Sequence, residues 1–402
     1  MKAWLAVLLI LMSLNLPSAA QAQNSCESPF EGVSIRFSNG FWTKTDFCNT
    51  TINLAEVISG GPPPNAIPPI GFPEWADPIN PARVIPPLPG PIFEPVEGGR
   101  GWLQDQSPVI ALEIDGEARA YPLAILTWHE IVNDVVGSVP VAVTFCPLCN
   151  SSIVFDRRVG EAELFFGTTG NLRKSDLIMW DDQTQSWWQQ FTGEGIVGQY
   201  AGEMLTMLPS QVVGFGQFAA QYPEGQVLSR QTGTGRDYGR NPYAGYDSGE
   251  PFLFEGVIDR RLAPTARVLA GLVNGEPVAY PFRLLARSFV INDTVAEQAI
   301  VAFWQDGQAS ALDASQIDAG VEVGSAALYS RVLNDETLTF TADSGGSITD
   351  EQTGSTWNAF GVAVDGPLTG ERLRQIVASP HFWFAWAAFR PETILYGSAD
   401  SQ

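Results

Sequence analysis

The chain has 402 residues, 45 % of them hydrophobic, and a formal net charge of −22. That apolar fraction is a globular protein's, and the length is enough for two domains. The acidic balance argues against nucleic acid, whose phosphates need a basic surface, and against adhesion to anionic lipid.

Lys2, an apolar run over residues 4–16 and Ala20-Gln21-Ala22 read as an export signal over residues 1–22, which places the protein in the periplasm or outside the cell. The run is too short to span a bilayer, and no later segment of the sequence reads as a membrane span. Cys26 and Cys48 follow, and in an oxidising compartment they are expected to form a structural disulfide. The segment 23–100 that they staple is dense in proline from residue 60 onward, which favours extended structure. Its Ile67, Ile70, Phe72, Trp75 and Phe93 mark it as a strap lying on what comes next.

Residues 101–230 and 262–402 read as two tandem copies of one module. Val109-Ile110, Gly116-Glu117 and Ala120-Tyr121-Pro122 return as Val268-Leu269, Gly275-Glu276 and Ala279-Tyr280-Pro281. Asn133-Asp134 returns as Asn292-Asp293, and Gln183-Thr184 with Trp188 as Gln352-Thr353 with Trp357. A repeat this long means one fold used twice.

In the first copy, strands over 109–114 and 118–121 flank Asp115-Gly116, a hairpin signal. Pro122 opens a helix predicted to run through Asp134, with Leu123, Leu126 and Ile131 as its buried stripe. Strands are predicted over 139–145, 153–156, 163–166 and 177–180. Residues 231–261 join the copies as an ordered linker rich in turns, with Tyr238, Tyr243 and Tyr246. The fold class expected is α+β, predominantly β.

Only the first copy carries Cys146-Pro147-Leu148-Cys149. The offset that takes Tyr121 to Tyr280 takes His129, Cys146 and Cys149 to Ser288, Gln305 and Gln308, so three metal-binding side chains are missing together from the second copy. Residues kept in both copies hold the fold, and residues present in one are candidates for chemistry. Cys-x-x-Cys after a strand points two sulfurs at one place, and thiolates and imidazole both bind zinc and copper(I). His129, Cys146 and Cys149 would make a three-ligand centre for copper or zinc with one position open.

Around this centre, Asn133 is expected one turn beyond His129 on the same helix face, with Glu130 and Asp134 on the adjacent face. Glu130 and Asn133 are therefore candidates for proton handling or for orienting the imidazole. Arg173, beside Lys174 in a loop over 170–175 without clear counterpart in the second copy, is a candidate for holding a substrate anion. Trp187, Trp188 and the 238–246 segment have the rings to stack on a sugar, although the return of Trp188 as Trp357 points to packing. His381, beside Phe382-Trp383-Phe384, reads as a packing residue.

Two other readings fit the same residues. Cys146 and Cys149 form a disulfide in a non-catalytic binding module, or they exchange disulfides as a thiol–disulfide oxidoreductase. Against exchange stands Ile153-Val154-Phe155, which reads as strand where a thioredoxin-like motif would open a helix.

With His129-Glu130-Ile131-Val132-Asn133-Asp134, Thr144-Phe145-Cys146-Pro147-Leu148-Cys149-Asn150, Gly170-Asn171-Leu172-Arg173-Lys174-Ser175-Asp176 and Arg236-Asp237-Tyr238-Gly239-Arg240-Asn241-Pro242-Tyr243, the chain resembles the DUF3179 domain family of exported bacterial proteins. The resemblance implies no activity. It leaves the second copy, which lacks the cysteine motif, as a supporting domain.

Overall fold

The computed structural model describes residues 41–80 and 82–398. Strand outweighs helix by 40 % to 12 %, so the α+β, mostly β reading holds. The signal segment and Cys26 lie outside the described residues, and with them the expected Cys26–Cys48 pairing. No described helix is long and apolar enough to cross a membrane.

Asp115 and Gly116 adopt φ of 52° and 84°, the two left-handed positions of a tight hairpin turn, and join Pro108–Ile114 to Glu117–Pro122. Asn274 and Gly275, at 50° and 88°, do the same for Arg267–Val273 and Glu276–Pro281. A short helix follows each hairpin, Leu123–His129 and Phe282–Ser288.

The first helix stops well before Asp134, where the sequence pattern placed its end. The chain turns at Glu130 and enters the strand Ile131–Val136, which pairs with Val139–Cys146. The reason is local: Ile131-Val132 and Val135-Val136 are β-branched and stiff, and Gly137-Ser138 closes a second hairpin. Ile131 is thus a sheet residue. Asn133 lies on no helix face shared with His129, and Asp134 on none shared with Glu130.

The two halves of the chain use the same strand orders. Met207–Leu208, Ser151–Asp156, Val139–Cys146 and Ile131–Val136 form one sheet, and Gln375–Ile376, Ser325–Ser330, Gln298–Gln305 and Val290–Val295 form its counterpart. Gln226–Leu228 joins Glu117–Pro122 in parallel, as Ile394–Leu395 joins Glu276–Pro281.

Side-chain bonds match as well. Tyr121 donates to Asp134 at 2.6 Å and Tyr280 to Asp293 at 2.9 Å. The Asp181 carboxylate accepts from Thr184, Ser186 and Trp188, and the Asp350 carboxylate from Thr353, Ser355 and Trp357. The recurring residues of the sequence are therefore ones that tie elements together.

Residues 57–75 run along the N-terminal half. Val57–Ser59 pairs with Phe166–Arg173, and the Gly60, Asn65 and Ile70 amides donate to Gly170, Thr168 and Ile131. This close approach needs glycine at 170, where φ is 74° and a Cβ would stand 2.0 Å from the Pro62 carbonyl. The expected loop over 170–175 is mostly strand. It bulges between Thr168 and Leu172, continues to Arg173, and turns tightly at Lys174-Ser175 into Asp176–Asp181.

One hydrophobic core spans both halves, with Ile110, Val143 and Phe191 in the same cluster as Val268, Phe382 and Trp386. Ala378–Phe382 packs on Ser151–Asp156 across that boundary.

Candidate metal centre

The strand Val139–Cys146 ends on Cys146, and the 3-10 turn Pro147–Cys149 brings Cys149 back beside it. Pro147 suits the first position of that turn, where an amide would be unpaired anyway. Asn150 leaves it in the left-handed region, at φ 48°, and the chain returns as Ser151–Asp156. From the other sheet, the Lys174-Ser175 turn delivers Asp176 at the start of its strand.

The two sulfurs and a carboxylate oxygen of Asp176 all lie within 4.8 Å of one another, and all three residues are buried. Cys149 Sγ also lies 3.4 Å from the Ser175 carbonyl. Asp176 Oδ1 accepts from Gln189 Nε2 at 2.7 Å and from the Phe191 amide at 2.9 Å, which fixes the carboxyl group. Its Oδ2 has no such partner among the described residues and is left to the thiol side.

Glu130 completes a set of four buried acids. Burial, with the Asp176 charge second, pushes its carboxyl up to about 8. Burial also pushes Asp176 up to about 7, and raises both thiols, Cys149 well above its ordinary value. Tyr243 and Tyr246 stand close enough that their phenols, raised first by burial, are raised further by the charges of Glu130 and Cys146 and of Cys149 and Cys146, respectively.

The forces shifting Glu130 and Asp176 are burial, hydrogen bonds and other acids, with no basic side chain among them. Ionising such groups without a counter-charge is costly, and a divalent cation reverses that cost. Tetrahedral zinc with bonds of about 2.0–2.3 Å holds its ligand atoms about 3.3–3.8 Å apart, so side-chain rotations that draw this group together would close it on one ion.

His129 does not join the group. Its Nδ1 meets the Pro68 carbonyl at 2.6 Å and its Nε2 meets the Tyr238 hydroxyl. Burial pushes the ring down to about 4, so it is neutral, with Nδ1–H donating to Pro68 and Nε2 accepting from Tyr238. Both nitrogens are spent on holding residues 68 and 238 to the helix end. The expected His129, Cys146 and Cys149 set is therefore corrected: the third member is Asp176.

Asn133 is a fastener as well. Its side chain donates to Phe166 O at 3.0 Å and accepts from the Phe166 amide at 2.8 Å, and Asn292 makes the same pair of bonds with Phe340. Arg173 Nε pairs with Glu56 at 2.8 Å, and its guanidinium lies over the Phe389 ring. With Glu56 and Lys174 it lines a separate surface cleft. Of the three candidates for proton or anion handling, only Glu130 lies near enough for its charge to raise the Cys146 thiol.

Asp176 was legible by the rule that singled out the cysteines. The offset that takes Asp181 to Asp350 takes Asp176 to Gly345, and the helix-end match takes Glu130 to Phe289. The second half thus has Phe289, Gln305, Gln308 and Gly345 in place of the four acids.

A family model described as protein of unknown function (DUF3179) matches residues 83–393. The chain belongs to the DUF3179 family. The DUF3179 match spans both halves and takes in Glu130, Cys146, Cys149 and Asp176, while assigning no activity. No curated protein matches the chain, and no solved structure does.

Proposed function

We propose that this DUF3179 protein is an exported metalloprotein that holds one zinc ion on Cys146, Cys149 and Asp176. The observation that carries the reading is the convergence of two sulfurs and a carboxylate oxygen within 4.8 Å, all buried, with no basic side chain among the groups that shift Asp176. Two thiolates and one carboxylate mix soft and hard donors. That mixture suits borderline zinc better than copper(I), which prefers an all-soft set.

Three protein ligands leave one position for an exogenous group, the arrangement of a reactive centre. Zinc in such a site supplies Lewis acidity and an activated water, so a metal-assisted hydrolytic step is the chemistry favoured. Glu130, buried and within range of the Asp176 and Cys146 charges, is the candidate to give or take a proton near the ion. The C-terminal half, a second copy of the module on this reading, supports the first and binds no metal.

Thiol exchange fits less well, because it needs an accessible thiolate and both thiols are buried with raised pKa. Export rests on Lys2, the apolar run and the Ala20-Gln21-Ala22 site, with a Cys26–Cys48 disulfide as its corollary. Metal analysis of the purified full chain tests the reading. One zinc per chain is expected in the wild type and less than a tenth of that in Cys146→Ser, whereas equal content in both refutes it.

A further inference from the structure

Arg173 and Lys174 stand at the tip of a hairpin that only the first half extends. Phe166 and Phe340, each bonded to the asparagine of its own half, open the two hairpins. Thr168 then pairs with Met179, and Ala342 with Ile348. Residues 169–178 thus take the place that residues 343–347 fill in the second half, and the shorter segment carries no basic side chain.

The extended tip forms one wall of a surface cleft of about 520 Å³, an ordinary size for a small-molecule site. The other walls are mostly apolar: Ile58, then Leu253, Phe254 and Val257, then Ala387 and Pro391 in and after the helix Trp383–Phe389. Val257 is 95 % exposed and marks the rim.

The charges of the cleft run against the trend of the chain. Acids outnumber bases by 44 to 22 overall, yet the charges acting on Lys174 are Arg173 and Arg390 against one carboxylate, Glu56. Glu255, the other acid of the lining, is exposed and is not among them. Arg173 and Lys174 also lie over one ring, Phe389, at 5.7 Å and 5.1 Å. Like charges gathered in this way repel unless an anion joins them.

Donors for such an anion are present. Arg173 spends Nε on Glu56 at 2.8 Å, while its two terminal nitrogens have no hydrogen-bond partner among the described residues and are open to solvent. Lys174 spends one of its three N–H groups, on the Ala388 carbonyl at 2.7 Å.

We propose that this cleft binds an amphipathic carboxylate, a carboxyl group on an aliphatic tail, with the carboxylate on Arg173 and Lys174 and the tail along Leu253, Val257 and Pro391. A planar carboxylate matches the free edge of the guanidinium. Glu56 already offsets part of the positive charge, so a monoanion suits the cleft better than phosphate. The apolar walls supply affinity that a bare carboxylate does not draw on. The Lys174-Ser175 turn leads on to Asp176, but none of the cleft residues is a proposed zinc ligand.

Calorimetric titration of the full chain with octanoate, acetate, 1-octanol and inorganic phosphate tests the proposal. Octanoate should bind saturably, one per chain, and at least tenfold more tightly than each of the other three. Arg173→Gln should weaken octanoate at least tenfold and keep the wild type's zinc content. Val257→Asp, at a position too exposed to affect folding, should weaken octanoate as well. Arg158→Gln, an exposed cation outside the cleft, should bind octanoate as the wild type does. No saturable octanoate binding by the wild type, equal binding of 1-octanol, tighter binding of phosphate, or unchanged octanoate affinity in Arg173→Gln and Val257→Asp overturns the proposal. Octanoate binding needs no metal, so the same titration of metal-stripped chain separates a failure here from a failure of the zinc reading.

Discussion

Glu130 and Phe289 share one backbone station and carry opposite chemistry. Their φ angles are 57° and 58°, and each amide donates at 2.7 Å to the helix before it, to Leu126 and Leu285. Each carbonyl accepts at 2.8 Å, from Phe145 and Trp304. A left-handed conformation costs a non-glycine residue roughly 1–2 kcal/mol, and both halves bear it, so the strain belongs to the fold. The side chains alone differ: Phe289 packs near Trp304, while Glu130 sits within reach of the Asp176 charge.

That pairing predicts the effect of Glu130→Phe, which copies the second half. It removes a buried carboxyl and adds apolar surface, so metal-free protein should gain roughly 1–2 kcal/mol. Zinc content should stay at one per chain, since Glu130 is not a ligand in this account. Thermal melts and metal analysis of the variant check both outcomes.

The pH dependence of the metal-stripped protein follows from the raised acids. Asp176 at about 7 and Glu130 at about 8 hold protons in the folded state that the unfolded chain releases near pH 4. Between about pH 4 and 7–8 the folded state therefore binds more protons, and stability must fall as pH rises, by about 1.4 kcal/mol per pH unit for each acid. Zinc competes with those protons, so the stabilisation it gives should grow over the same window. Chemical denaturation at pH 5 and pH 8, with and without zinc, measures both slopes. A metal-free stability that rises towards pH 8 contradicts the acid cluster.

His129→Leu separates a fastener from a ligand. The variant loses the bonds to Pro68 and Tyr238, each worth about 1 kcal/mol, so unfolding should become easier by roughly 2–3 kcal/mol. Zinc per chain should be unchanged. Loss of metal with little loss of stability would restore His129 as a ligand.

Asn133→Ala and Asn292→Ala should both destabilise without touching metal content. Asn133 is the more buried and also reaches the Ile70 carbonyl, so its loss should be the larger, roughly 2–3 kcal/mol against about 1–2 kcal/mol. Denaturant midpoints of the two variants give the order.

The sequence pattern carried the hairpins, because Asp115-Gly116 and Asn274-Gly275 are turn signals that need no tertiary context. It misplaced the helix end, because the apolar residues at 123, 126 and 131 fit a helical stripe as well as they fit a helix followed by a strand. Only the β-branched run from Ile131 to Val136 distinguishes the two. In the site, the cysteines were legible from their spacing and their absence from the second half.

His129 misled because it vanishes from the second half together with them. Its loss at Ser288 tracks instead the Tyr238 and Pro68 contacts particular to the first half. Asp176 was hidden by distance along the chain, since a tight turn in a different sheet brings it to the thiols. Comparison of the two halves at Gly345 exposes it.

X-ray absorption at the zinc edge of the purified full chain tests the central claim most directly. The account predicts two sulfur neighbours at about 2.3 Å and oxygen neighbours at about 2.0–2.2 Å, with one oxygen lost in Asp176→Asn. A spectrum without sulfur, or one with imidazole scattering that disappears in His129→Leu, would contradict it.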